Sequence, residues 1–557
     1  MVATVTSTPP VDPLDDRAVY KQIADRLRDL LDMRELRPGD KLPSESALMR
    51  RFGTSRATIR NALGQLTQEG RLRTERGVGV FVADASRLVL HDPASFVRGR
   101  NADEPESPLE RDARGQDFEY RQRALELREV GAPERVAALL KVAPGDQVFV
   151  RKRLVSTRPK GSRWAPAKIA DSYLPPDIAV GRIREPDTGP GGTYARIREH
   201  GHQLTHFDEH LIFRMPDPSE ARRLRLGAGI PVIDQTRVAH AGDRPVECFL
   251  AVLAGDKNQI EYRIPATQET VTPPTADTTV APLAQGQHRK PRMATEIDGS
   301  IDATGDRPVY KQIADLVREH IDRGELVPGD KLPSESALMR RFDVTRTTVR
   351  RAIQSLVAEG RIRTERGVGA FVKEVVRADA LVRQPYDRLA RHHYRDEGKS
   401  GLDIDAESRG FTHEHVRQDR VDLADVRVST AVAEWLAIDP GSTVFRRRRR
   451  MWTGNLPTQL TNSYLPAELA VGPLREVDMG DGGAHARLED LGYRLTHFVE
   501  RLSVRMPYPK EARALRLEQG VPVVDLFQTA YADDTPVECF TSVIAGDRYV
   551  FTYRIDA

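Results

Sequence analysis

With 557 residues the chain has room for about four domains of ordinary size. Its 39% hydrophobic and 30% charged residues are typical of folded, water-facing domains, and a net charge of +3 excludes a chain-wide polycation. The two cysteines, Cys248 and Cys539, exclude a disulfide framework or zinc knuckle. No run of 18 apolar residues and no basic-then-apolar leader occurs, so a cytoplasmic protein without membrane contact is expected.

Residues 1–16 are rich in Thr, Pro and Asp and are expected to form a disordered tail. From there on almost everything occurs twice. KLPSESALMR spans Lys41–Arg50 and again Lys331–Arg340, RTERGVG follows in both copies, and PVECF occupies Pro245–Phe249 and Pro536–Phe540. The repeat is nearly half the chain, far longer than a solenoid period of about 20–50 residues.

Each copy opens with an amphipathic helix, Val19–Leu31 or Val309–Ile321, with Ile23, Leu27 and Leu30, or Ile313, Val317 and Ile321, on one face. A Pro-Gly turn ends it (Pro38-Gly39, Pro328-Gly329). A short helix begins near Ser44 or Ser334, and a third near Ser55 or Thr345, both hydroxyl residues suited to capping. Two short strands flank Gly77-Val78-Gly79 or Gly367-Val368-Gly369. Three helices and a β-wing predict a winged helix-turn-helix at 17–84 and again at 307–373. The arginines are concentrated there. Arg50–Arg76 holds seven against two glutamates, and Arg340–Arg366 holds eight against three acids, so each stretch is net +5 and suits a phosphate backbone.

Residues 113–264 and 405–556 read differently. Strand-like runs such as Gln147–Val155, His206–Arg214 and Val232–Ala239 alternate with short helices such as Pro133–Leu140 and Pro218–Leu226, which predicts α+β bodies on antiparallel sheets. Residues 265–306, rich in Thr, Pro, Ala and Gln, are expected to be a flexible linker. A coil of that length reaches about 35 Å, close to the ~34–36 Å between half-sites one DNA turn apart.

The segment Lys331–Val372, with its first copy Lys41–Val82, resembles the DNA-binding domain of GntR-family bacterial repressors. The resemblance implies that Arg346 and Arg350 meet bases or nearby phosphates, that Thr345, Thr347 and Thr348 position the helix, and that Arg366 and Gly367 approach the minor groove. In the first copy these roles fall to Arg56, Arg60, Ser55, Thr58, Arg76 and Gly77. The chemistry agrees, because arginine matches guanine O6/N7 and hydroxyls suit phosphates. Ser46 and Ser336 stand where many relatives carry arginine. The first copy has Ala57 for Thr347, Asn61 for Arg351, and Gly64 inside its helix, so tighter binding is expected from the second head.

The larger domains resemble the UTRA effector domain of the HutC branch, through ADSYLPPDIAVG (Ala170–Gly181), TNSYLPAELAVG (Thr461–Gly472), RMPDPSEARRLRLGAGIPV (Arg214–Val232) and RMPYPKEARALRLEQGVPV (Arg505–Val523). The whole is then two winged helix-turn-helix heads and two chorismate-lyase-like UTRA bodies. The resemblance implies a ligand-responsive regulator, a repressor on an inverted-repeat operator in double-stranded DNA, acting as an intrachain pseudo-dimer or a homodimer. Arg151 and Arg153, or Arg447 and Arg449, lie two apart on a strand, share a face, and suit a carboxylate or phosphate of a small anionic effector. Glu209, Glu247, Glu500 and Glu538 could accept from a ligand, and Tyr173, Tyr262, Tyr464 and Tyr553 could line its pocket, with ion pairs and core packing as the plain alternatives. His200, His202, His206 and His210 invite a metal reading, but only His206 has a histidine counterpart, His497, so no metal and no cofactor are expected. No nucleophile–base pair is shared by both copies, so no enzyme is expected. Catalytic bodies on DNA heads, and a ligand-free architectural DNA binder, are the competing functions.

Overall fold

The computed structural model describes residues 18–32, 40–68, 72–75, 79–82, 88–93, 108–266 apart from 115, 117, 160–162 and 228, 297–302, and 307–557 apart from 323, 324, 328, 366 and 374–379. The expected tail at 1–16 and most of the expected linker lie outside these residues.

The first head comprises α1 (Val19–Asp32), α2 (Glu45–Phe52), α3 (Arg56–Gln68) and the hairpin β1 (Leu72–Glu75) with β2 (Gly79–Val82). Its core is the apolar face read from the sequence: Ile23, Leu27 and Leu30 of α1 meet Leu48, Phe52, Ile59 and Leu66. Ser44 Oγ accepts from Ala47 N at 3.2 Å and starts α2, and Gly53, at φ 60°, ends it. The second head repeats this after the first body and the expected linker. There Asp343 takes the left-handed position that glycine takes in the first, at φ 48°. Part of the expected linker belongs to that head, because Ile297 is buried in its core.

A short strand β3 (Val89–His91) and helix α4 (Pro108–Arg114) lead into the first body. It contains β4 (Phe118–Gly131), α5 (Glu134–Leu140), β5 (Gln147–Pro159), β6 (Ala165–Leu174), α6 (Gly192–Glu199), β7 (His206–Arg214), α7 (Pro218–Leu224), β8 (Val232–Ala241), β9 (Arg244–Ala254) and β10 (Asn258–Pro265). The second half runs α8 (Val309–Asp322), α9 (Glu335–Phe342), α10 (Arg346–Ala358), β11 (Ile362–Glu365) and β12 (Gly369–Val372), then β13 (Leu381–Arg383) and helices α11 (Pro385–Arg388), α12 (Arg391–Arg395) and α13 (Gly401–Glu407). Its body continues with β14 (Val416–Arg427), α14 (Thr430–Leu436), β15 (Thr443–Thr453), β16 (Leu456–Pro466), α15 (Gly483–Asp490), β17 (His497–Arg505), α16 (Pro509–Leu515), β18 (Val523–Ala532), β19 (Thr535–Ala545) and β20 (Tyr549–Asp556).

The two bodies exchange strands. One eight-stranded sheet has the order β13-β20-β7-β8-β9-β6-β5-β4, the other β14-β15-β16-β19-β18-β17-β10-β3. The last strand of each half therefore completes the sheet of the other. β20 runs antiparallel to β7, with Tyr553 opposite Glu209, and β10 runs antiparallel to β17, with Tyr262 opposite Glu500. The strand that follows each head crosses over as well, since β3 lies parallel to β10 and β13 parallel to β20. Phe207, Phe213, Phe498, Phe551 and both exchanged tyrosines fall in one continuous apolar core. The second head also rests on the second body. Gly360 and Gly520 approach so closely that a Cβ on Gly520 would lie 2.8 Å from Val357 O. Lys373 pairs with Glu518 across this junction at 3.4 Å.

Candidate DNA interface and effector pockets

On each head the third helix begins where a hydroxyl can cap it. Ser55 Oγ accepts from Thr58 N at 3.3 Å and lies 2.9 Å from Thr58 Oγ1. Thr345 and Thr348 repeat the pair at 3.4 and 3.0 Å. These residues therefore shape the helix end and leave the arginines to project. Arg56 and Arg60, or Arg346 and Arg350, are more than half exposed and converge on one carboxylate of the preceding helix, Glu45 or Glu335. Arg60 Nε lies 2.9 Å from Glu45, and Arg350 Nε 3.1 Å from Glu335. One glutamate against two arginines aligns both guanidinium groups and leaves the face positive. Sequence reading missed that glutamate, although Ser-Glu at the start of the short helix was the signal. Thr347 is exposed on the same helix. Gly367 stands at the exposed wing turn with φ 77°, whereas Arg76, Gly77 and Arg366 lie outside the described residues.

In the bodies the structure divides the expected effector residues. Arg151 and Arg447 are buried and spent on backbone. Arg151 donates to the carbonyls of Ile183, Glu185 (2.6 Å) and Pro186, and Arg447 to those of Leu474 (3.2 Å), Glu476 and Val477 (3.0 Å). They fasten a loop through their terminal nitrogens, while Arg151 Nε has no partner among the described residues. Tyr173 and Tyr464 point to the opposite face of their sheets and pack against α5 and α14 with Cys248 and Cys539, free thiols that burial pushes up to about 12.

Glu209, Glu500, Tyr262 and Tyr553 belong to the seam between the bodies. Glu209 accepts from Gln235 (2.9 Å), Arg237 (2.5 Å) and Tyr262. Glu500 accepts from Gln528 (2.8 Å), Tyr553 (2.6 Å) and Arg383. The two tyrosine rings stack at 3.4 Å. The carboxylates are fully buried, and each is neutralised by one arginine. That arginine comes from β8 in one body and from β13, the strand after the second head, in the other.

Arg153, Arg449, Glu247 and Glu538 remain, and the structure adds neighbours that the sequence did not single out. In the first body Arg153, Lys168 and Arg237 surround the Phe249 ring at 5.9, 5.1 and 5.7 Å from its centre. Arg153 donates to Ser172 Oγ at 2.5 Å. Burial, then the charge of Arg237, pushes the Lys168 ammonium down to about 7. Burial, and then Glu247, raise the Tyr194 hydroxyl. One oxygen of Glu247, Oε2, has no hydrogen-bond partner among the described residues. In the second body Gln459 replaces Lys168 and Gln528 replaces Arg237 at the matching strand positions. Gln459 donates to Tyr549. Arg449 makes no hydrogen bond among the described residues, and burial followed by Arg447 pushes it down to about 10. Burial opposes ionisation of Glu538, but His485 at 3.2 Å and Ser463 outweigh it and hold the carboxyl low. The first site thus gathers the basic side chains of Arg153, Lys168 and Arg237, the second those of Arg449 and His485. The signal in the sequence was the pair of mismatches at 168/459 and 237/528.

Comparison with known proteins agrees with this geometry. The pattern described as "Bacterial regulatory proteins, gntR family" matches residues 19–82 and 309–372, and that of the UTRA domain matches 115–259 and 414–550. The chain belongs to the GntR family, with both of its domains in tandem duplicate. It is a ligand-responsive transcriptional regulator. An uncharacterized HTH-type regulator of Streptomyces coelicolor is 32% identical over 252 residues, 44% of this chain and 92% of its own length. The mannosyl-D-glycerate transport/metabolism system repressor MngR of Escherichia coli K12 is 30% identical over 44% of this chain and 96% of its own. The repressor NagR of Bacillus subtilis is 28% identical over 45% and 95%. Each relative is one module long, and this regulator is two. Among solved structures it is similar to PhnF of Mycobacterium smegmatis, at 23% identity and a TM-score of 0.27, over 43% of this chain and 97% of that one. Among its described residues, no helix is long and apolar enough to cross a membrane.

Proposed function

We propose that this regulator is a repressor that reads a two-part, inverted operator with the two heads of a single polypeptide, and that an anionic metabolite relieves it. The observation that carries the reading is the exchange of β10 and β20 between the bodies, which joins within one chain two modules that each span a whole relative. Linking two heads raises the effective concentration of the second once the first is bound. Arg346, Arg350, Thr347 and Gly367, with Arg56 and Arg60, face the DNA. Thr345, Thr348, Ser55 and Thr58 hold the helix ends, and the family resemblance assigns Arg76, Gly77 and Arg366 to the minor groove. Two relatives bear the word repressor in their names, which supports the sign of regulation.

The effector reading rests on Arg153, Lys168, Ser172 and Glu247 in the first body and on Arg449 and Glu538 in the second. Three cations about one ring suit a phosphate or dicarboxylate, since charge-assisted hydrogen bonds are about twice as strong as neutral ones. An effector that prefers one head spacing by about 1.4 kcal/mol changes operator affinity tenfold. The test is selection of duplexes from a random library at fixed salt, followed by the mass of the complex. An inverted two-part motif bound by one chain supports the proposal. A two-part motif bound only by two chains would replace the pseudo-dimer with a dimer of chains. Adding phosphorylated and carboxylated metabolites to that complex should release DNA, and Arg153→Ala should abolish the release.

A further inference from the structure

A second cluster lies on the other face of the first sheet, away from Arg153 and Lys168. His206 opens β7, Asp208 stands two residues on and projects to the same face, and His240 of β8 sits directly opposite His206 in the strand register. His240 Nε2 is 3.2 Å from Asp208 Oδ2, and His206 Nε2 is 3.8 Å from the same oxygen. Two ligand atoms on one tetrahedral zinc, with bonds of about 2.0–2.2 Å, stand about 3.3 Å apart. Of the three edges that three ligands define, His240–Asp208 is already at length, His206–Asp208 needs a closure of about half an ångström, and His206–His240, between rings stacked at 4.4 Å, closes from no more than 4.8 Å.

The surroundings orient the ligands. Thr205 Oγ1 donates to the carbonyl of His240 at 3.2 Å, so toward His206 it acts as acceptor and takes the Nδ1–H at 3.0 Å. That fixes the tautomer in which the His206 Nε2 lone pair faces Asp208, the outer support that metal-bound histidines use. The other carboxylate oxygen, Asp208 Oδ1, is buried without a partner among the described residues. The three side chains are 11–13% exposed, so an ion can reach them from solvent. Arg554 of the exchanged strand stands opposite Asp208 and opposes a cation, while Asp243 beside His206 offsets it.

We propose that His206, Asp208 and His240 bind one divalent transition-metal ion of the zinc class, with a fourth position open to solvent or an exogenous ligand. Two imidazoles and a carboxylate suit zinc, nickel or copper, not calcium or magnesium. The ion would tie β7 to β8 beside the strand contributed by the other half. The second body supplies the control. It keeps Thr496 and His497 in the same arrangement, at 3.1 Å, but carries Val499 and Tyr531 where the first has Asp208 and His240, and the Tyr531 ring stacks on His497 at 4.6 Å.

The experiment is zinc and cobalt titration of the tag-free full chain, read by competition with a chromophoric chelator and by the cobalt absorption spectrum. One ion per chain is expected. Asp208→Val with His240→Tyr, the residues that the second body already tolerates, should weaken binding at least about a hundredfold while circular dichroism stays unchanged. Val499→Asp with Tyr531→His should raise the stoichiometry to two. No uptake by the parent chain overturns the proposal. So does uptake that the first double variant leaves unchanged, which would assign the ion to another cluster such as His392, His393 and Glu397.

Discussion

The two bodies share one scaffold and differ in where its inner face carries charge. In the first, Lys168, Arg153 and Arg237 crowd one aromatic ring, and Arg237 also neutralises Glu209. In the second, glutamine occupies two of those positions, and Glu500 is neutralised from outside the body by Arg383 of β13. The strands, the stacked tyrosines and the loop-fastening arginines are common to both. The scaffold contacts recur in both copies, whereas the charges at 168/459 and 237/528 do not.

The seam offers the largest way to break the comparison. Arg383→Met leaves Glu500 buried without its cation, and Arg237→Met does the same to Glu209. Each is expected to cost about 3–5 kcal/mol, since removing one partner strands the other charge. Urea unfolding measures it, and equal losses would show that the two routes of neutralisation are equivalent. The heads come next. Arg346→Ala or Arg350→Ala should weaken operator binding by about 1–3 kcal/mol at fixed salt, and Arg56→Ala or Arg60→Ala by less. Equal losses in the two heads would mean that Ala57 and Asn61 have not weakened the first.

The two clusters of basic residues differ in their response to pH. The Lys168 ammonium is pushed down to about 7, so an anion that binds its protonated form should bind best below that pH and weaken as pH rises through it. Lys168→Gln, which installs the residue of the second body, should flatten that profile and lower the affinity about tenfold at pH 6. Calorimetry with a phosphorylated effector reads both, and a profile unchanged in the variant removes Lys168 from the site. The smallest effect is in the first recognition helix. Gly64 has open space where a Cβ would stand, so Gly64→Ala should stabilise that head by about 1 kcal/mol, seen as a rise in its melting temperature.

Most of the local structure was legible in the sequence, because periodicity and caps are local properties. α1 and α8 begin where their apolar faces begin, β7 has the predicted bounds, and Ser55 and Thr345 cap the helices they precede. The candidate site was half legible. Placing Arg151 and Arg153 on one face was correct, but alternation along a strand cannot say which guanidinium will meet backbone carbonyls from a loop more than 30 residues on. Nor can it say that Glu209 and Tyr262 face a seam, because that follows from strands traded between halves. Nor can it pair His206 with His240, 34 residues distant, because only the β7–β8 register brings the two together.

The exchanged strands also set a timetable. Pairing of Phe551 with Leu211 closes a loop of about 340 residues, against about 240 for Ile260 with Leu502. A ribosome adding about 5–20 residues per second needs roughly 20–70 s to travel from β7 to β20. Through that interval the newborn first body has an open sheet edge at β7, and β10, which shares Tyr-Arg-Ile with the missing strand, is tethered nearby. The sheet begun first is therefore closed after the other, and its β7 edge waits for β20 to emerge.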